Sequence, residues 1–147
     1  NDAPSTITRL QNMGTPDYLI SAACQLVVAQ RLARKNCKEC KVPDDDVNPK
    51  VLQDLGFSAE QATRVKAIKG KGCAKCSDTG YKGRQGIYEI LVVSKPLKEA
   101  ILRKATTPEL REIAIKEGFQ TMQDMGRRLI AAGELNFREY ERVLSNE

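Results

Sequence analysis

The chain has 147 residues, 41% hydrophobic and 29% charged, which fits one ordinary globular domain or two small ones. It has no apolar run near the ~20 residues that span a bilayer, and it contains no His, which removes Ser-His-Asp and Cys-His catalysis. The formal charge of +5 is concentrated between Arg31 and Cys76, where 11 Lys/Arg face 6 Asp/Glu while the remainder balances at 13 against 13, an excess too modest to argue for nucleic acid by itself.

The sequence opens on Asn1-Asp2-Ala3-Pro4 without Met and reads as a cut from a longer chain. Asp2 or Ser5 can cap a short helix that carries Ile7, Leu10 and Met13 on one face and stops at Gly14. Thr15-Pro16-Asp17 then offers a cap, a Pro at the first helical position and an acid at the positive end of the dipole. From Tyr18 to Ala33 the residues are apolar nearly all round, which predicts one buried helix with Cys24 as a core thiol. Arg31, Arg34 and Lys35 would sit at its C-terminal end, where cations suit the dipole.

Next come two pairs, Cys37-Lys38-Glu39-Cys40 and Cys73-Ala74-Lys75-Cys76, with 32 residues between them. Four thiolates complete a tetrahedral zinc shell and leave no position open for a substrate, so the metal would be a staple and not a catalyst. A redox dithiol explains one pair but not two. Disulfides are the other alternative, since four Cys allow three pairings, but they need an oxidising compartment and no secretory signal opens the chain. Zinc with four thiolates carries a formal −2, which would bring the +5 down to +3.

Inside the loop, Val42 to Asn48 with Asp44, Asp45 and Asp46 reads as a surface segment, lacking the Gly and distant Glu of a calcium loop. Pro49 to Leu55 predicts a short helix ended by Gly56, and Ser58 with Gln61 a capping box for a second, to about Val65. Gly80-Tyr81-Lys82-Gly83-Arg84-Gln85-Gly86 reads as a turn-rich stretch, and Ile87 to Val93 as a strand. Ser94–Lys104, Thr107–Glu117, Thr121–Ala132 and Asn136–Ser145 follow as four amphipathic helices. No phosphate loop is present. Gly70-Lys71 is the nearest fragment, with Val65 and Gly72 at the positions that should hold Gly and Ser/Thr.

The run from Asn1 to Leu10, Ala29-Gln30-Arg31-Leu32, the two Cys pairs and Gly80 to Glu89 together resemble the secretion ATPases, more narrowly the type IV pilus assembly and type II secretion members. The resemblance extends over essentially the whole chain. It implies the C-terminal part of a longer motor whose Walker and His boxes lie upstream, so that this chain alone should not hydrolyse ATP. The implied fold is mainly α with a small β component: residues 1–36 as the last helices of a RecA-like ATPase core, 37–76 as a tetracysteine zinc module, 77–93 as a glycine-rich turn and return strand, and 94–147 as a C-terminal helical bundle. Cys37, Cys40, Cys73 and Cys76 become the zinc ligands by family as well as by spacing.

The parent implied by the resemblance is a homohexamer driven by ATP and magnesium. It works on the cytoplasmic face of the inner membrane, on a polytopic platform protein and the other pilus or secretion components. Retraction ATPases generally lack the Cys module, and the Ala29-Gln30-Arg31-Leu32-Ala33-Arg34 form leans toward pilus assembly, with type II secretion as the alternative. Arg31 can be read as approaching a nucleotide or as a helix-end cation, and Lys82 and Arg84 as partner contacts or as a solvated turn. Tyr88 reads as a packed strand residue. A zinc-ribbon nucleic-acid binder is the competing class. Its stacking aromatics are scarce, with three Phe, four Tyr and no Trp, and nucleic acid is not expected as a partner. The tail from Gly133 to Phe137 lacks the Thr/Ser-rich cap usual in the family before the last helix.

Overall fold

The computed structural model describes residues 2–145; Asn1, the first residue of the Asn-Asp-Ala-Pro run, lies outside them, as do residues 146 and 147. Helices and strands are mixed, with eight α-helices and two two-stranded sheets among the described residues. The chain divides into two compact units, residues 1–30 with 88–122, and residues 31–87 with 123–147.

In the first unit, α1 (Ala3–Asn12) starts where the Asp2 side chain accepts the Ser5 N–H at 2.9 Å. Pro4 fills the first turn, where its missing N–H has no helical partner to lose. Helix α2 runs Asp17–Ala23, α5 Lys95–Leu102 and α6 Thr107–Lys116. The α2 helix packs on α5, and α1 on α6. The amphipathic stripe of each supplies one apolar cluster containing Ile7, Ile20, Leu97, Ile101 and Leu110. Each such side chain contributes roughly 1.5–3 kcal/mol by leaving water.

The long helix expected from Tyr18 to Ala33 is not formed. The helix ends at Ala23, Cys24 is its extended C-cap, and strand β1 runs Leu26–Asn36. Burial along the strand alternates, with Val27 and Ala33 inward and Leu26, Val28 and Leu32 half-exposed. Apolar residues on both faces of a ribbon mimic a helix that is apolar all round, and the β-branched Val27-Val28 pair favours the strand. Thr15-Pro16-Asp17 is also shifted, since Pro16 is itself the N-cap of α2 and makes no side-chain cap bond.

Strand β4 runs Tyr81–Val92 and pairs with β1. Bonds from Val93 N–H to Gln25 and from Cys37 N–H to Gly80 flank the pair, so the strands are antiparallel. The glycine-rich stretch is therefore mostly strand, because its backbone groups find partners in β1; Gly83 keeps a positive φ of 83° within it. Glu89 on β4 is buried, and its carboxylate accepts the N–H of Ala3 at 2.6 Å and of Met122 at 2.9 Å, the first residues of two helices. A carboxylate suits that place, since both orphan donors lie at positive helix ends.

In the second unit, β2 (Lys41–Pro43) and β3 (Ile68–Gly70) pair antiparallel in the register Lys41 to Gly70, Val42 to Lys69 and Pro43 to Ile68. The loop they close holds α3 (Pro49–Asp54), capped by Asn48, and α4 (Ala59–Arg64), whose Ser58–Gln61 capping box forms as the sequence signals. Helix α7 is Met122–Ala131, and α8 (Phe137–Leu144) is capped by the Asn136 side chain, which accepts from Glu139 N–H at 2.8 Å. Asn136 thus does the work of the absent Thr/Ser cap. The contacts gather α8 and nearly all of α7 into the same unit as the Cys pairs.

Candidate metal centre

The short β2–β3 ribbon sets the positions of the cysteines. Cys40 immediately precedes β2, and Lys71 N–H, just past β3, donates to its carbonyl at 2.9 Å. A second clamp, Cys37 N–H to Gly80 C=O at 2.9 Å, fixes the other end. Two glycines permit the approach, since a Cβ on Gly70 or Gly80 would collide with the other's carbonyl. Cys73 leads into a 3-10 turn (Ala74–Cys76), which folds the second pair onto the first.

The four Sγ atoms of Cys37, Cys40, Cys73 and Cys76 all lie within 4.8 Å of one another. Cys37 stands 3.8 Å from Cys73, Cys40 3.8 Å from Cys76, and Cys73 3.7 Å from Cys76. A tetrahedron with ~2.3 Å zinc–sulfur arms has edges of about 3.8 Å. The spacing therefore fits a four-thiolate zinc shell, and all five cysteines, Cys24 included, are free thiols.

Backbone donors shape the charge here. Burial disfavours the Cys76 thiolate, but N–H groups of Cys73 and Gly80, each 3.2 Å from its sulfur, bring its pKa down to about 6. Cys40 accepts the Gly72 N–H at 3.3 Å, yet burial and the three neighbouring thiols outweigh that donor and push it up to about 11. Four thiols this close do not all ionise unaided; a divalent cation supplies the charge that lets them.

A second polar cluster lies in the same unit and has no single-sequence signal beyond the Asn136–Glu139 capping pattern. Glu139 is fully buried and takes bonds from Arg34 N–H at 2.7 Å, Arg34 Nη2 at 2.6 Å and Arg142 Nε at 2.6 Å. Burial alone would raise its pKa, but the Arg142 and Arg34 donors hold it at about 2. Arg34 also lies over the Tyr81 ring, 4.1 Å from its centroid.

The remaining residues singled out from the sequence are dispersed. Arg31 is on a strand and not at a helix end, and its guanidinium donates to the Val143 carbonyl at 2.5 Å. Lys82 and Arg84 are exposed on β4 and not in a turn, with Lys82 Nζ donating to the Lys75 carbonyl at 3.2 Å. Tyr88 is on the expected strand but faces outward, 44% exposed, and its hydroxyl accepts from Gln30 at 3.2 Å. Part of the basic excess is neutralised locally, Lys35 and Lys41 by Glu134 and Lys69 by Asp44.

A family model described as type II/IV secretion system protein matches residues 1–142. The chain belongs to that family. It is 37% identical over 139 residues to the type IV pilus assembly ATPase PilB of Myxococcus xanthus, covering 95% of this chain and 25% of the relative. To the type IV pilus assembly ATPase PilB of Thermus thermophilus it is 41% identical over 126 residues, 86% of this chain and 14% of the relative. To the type II secretion system protein HxcR of Pseudomonas aeruginosa it is 34% identical over 143 residues, 97% of this chain and 26% of the relative. The chain thus spans about a quarter or less of the curated relatives it matches. No helix among the described residues is long and apolar enough to cross a membrane.

Proposed function

We propose that this chain is the zinc-bearing C-terminal part of an ATP-driven motor for type IV pilus assembly. The carrying observation is the four-sulfur cluster of zinc-shell dimensions in a chain that matches pilus assembly ATPases over most of its length. Cys37, Cys40, Cys73 and Cys76 hold one structural zinc, which is coordinatively closed and so acts by geometry. Residues 1–36 complete a RecA-like core, 37–76 form the metal module, 77–93 return to the core and 94–147 supply the helical bundle.

In the parent, ATP and magnesium are held by upstream segments, since a phosphate loop and its Lys are not in this sequence. The motor is a hexamer on the cytoplasmic face of the inner membrane, and it passes its strokes to a polytopic platform protein. The metal module is a rigid lever in that transmission. Type II secretion is the second reading, supported by the 34% identity to HxcR.

Two measurements test the proposal. Elemental analysis of the purified chain should give one zinc per chain. In the full-length protein, Cys40→Ser with Cys76→Ser should leave nucleotide binding intact and remove surface pili counted by electron microscopy. Normal piliation together with normal secretion would refute the lever, and normal piliation with a lost secreted-enzyme activity would favour the type II reading.

A further inference from the structure

The two Cys turns and strand β4 line a recess of about 390 Å3 within the second unit. Its walls carry Lys35, Lys38, Lys75 and Lys82, with Glu39 as the one acid and no Arg. Lys38, Lys75 and Lys82 have no carboxylate partner among the described residues, whereas Lys35 is held by Glu134 at 3.5 Å. Lys82 Nζ gives one of its three donors to the Lys75 carbonyl at 3.2 Å, which ties β4 to the second turn and leaves two donors free. None of these ammonium groups serves the sulfurs, which take backbone N–H groups of Gly72, Cys73 and Gly80 instead. Like charges gathered around one concavity repel one another and favour an anion between them.

We propose that this recess binds the phosphate group of a phosphomonoester. The inference goes beyond the motor reading and uses the zinc only to hold the two turns together. A phosphomonoester carries about −1.5 to −2 at neutral pH on three strong acceptor oxygens. The ammonium groups of Lys38, Lys75 and Lys82, compact point charges with rotatable donors, match that dianion. A carboxylate fits less well, since it is planar, singly charged and best met by the fork of an Arg. A zinc–thiolate centre beside the recess carries a formal −2 and opposes any anion there. Short contacts from these lysines, and not the net charge of the module, therefore decide the affinity.

The test titrates the isotope-labelled chain, its zinc content measured first, with glycerol phosphate at constant ionic strength and follows the amide shifts. Saturable shifts should appear at residues 35–39, 74–76 and 81–83. Succinate, with a similar charge on planar carboxylates, should give none. Lys38→Ala with Lys75→Ala, both exposed positions, should weaken glycerol phosphate by at least about tenfold with zinc content unchanged. No saturable shift, an equal response to succinate, or an unchanged affinity in the double variant overturns the site. A lipid offers the same group, and vesicles of phosphatidylcholine with phosphatidic acid separate the sources. Co-sedimentation that glycerol phosphate competes away assigns the site to a lipid headgroup, and chain left in the supernatant assigns it to a soluble phosphomonoester. Co-sedimentation that survives the double substitution means a diffuse basic surface and overturns the recess. A chain that purifies folded and metal-free overturns the zinc reading, while the titration still decides the site.

Discussion

The unit of residues 1–30 and 88–122 buries one continuous set of apolar side chains, among them Ile7, Ile20, Leu97, Ile101 and Leu110. The unit of residues 31–87 and 123–147 relies on directional chemistry, with four clustered sulfurs, a buried Glu139 between two Arg, and helices of six residues inside its loop. Apolar burial is non-directional and tolerates exchange of similar residues. Coordination and buried ion pairs tolerate none, since removing one partner leaves another uncompensated. The comparison teaches that equal compactness can hide unequal sensitivity to metal, acid and mutation.

The largest expected effect is chelation. Zinc binding to such sites is worth about 10 kcal/mol or more in apparent free energy. Removing it should speed amide exchange through residues 37–87 and also in α7 and α8, which share that unit. Amides of Ile7, Ile20 and Leu110 should keep their protection. Simultaneous loss in both units would break the comparison and make the chain one cooperative fold.

Leu97→Ala comes next. Leu97 is fully buried in the apolar cluster, and its truncation should cost about 3 kcal/mol. Denaturation should show that loss while zinc stoichiometry stays unchanged; a variant that loses its metal would couple the units after all.

Glu139→Gln sharpens the second unit. The carboxylate's folded pKa of about 2 lies below its ordinary 4.5, so its contribution is fully present above 4.5 and is lost as pH falls toward 2. The variant should be less stable than the wild type by roughly 2–3 kcal/mol at neutral pH, and that gap should close on acidification. Acid also protonates the thiolates, so the two proteins must be compared at each pH. A gap that does not change with pH would mean that shape and not charge explains Glu139.

Much of this was legible in the sequence because the signals are local. The Ser58–Gln61 box, the four late helices and the Cys spacing each depend on residues a few positions apart. Helix α6 begins at Thr107, where the expected segment begins, with Thr106 as its cap. Strand β1 was not legible, because its outward face carries Leu26, Val28 and Leu32 where a half-buried strand would show polar residues. The three-residue strands β2 and β3 are too short for any periodicity. Glu139 and Arg34 are 105 positions apart, and nothing local announces that they meet.

The carboxylate of Glu89 sets an order on the birth of the fold. Ala3 waits for an acceptor that follows it by 86 positions. At about 5–20 residues per second of synthesis, that is a delay of roughly 4–17 s. Through it the nascent α1 carries an uncapped amide and a bare Ile7, and its partner α6 is translated later still. Helix α1 is thus locked late, and a ribosome stalled before residue 89 holds it without its Glu89 acceptor and without its partner α6.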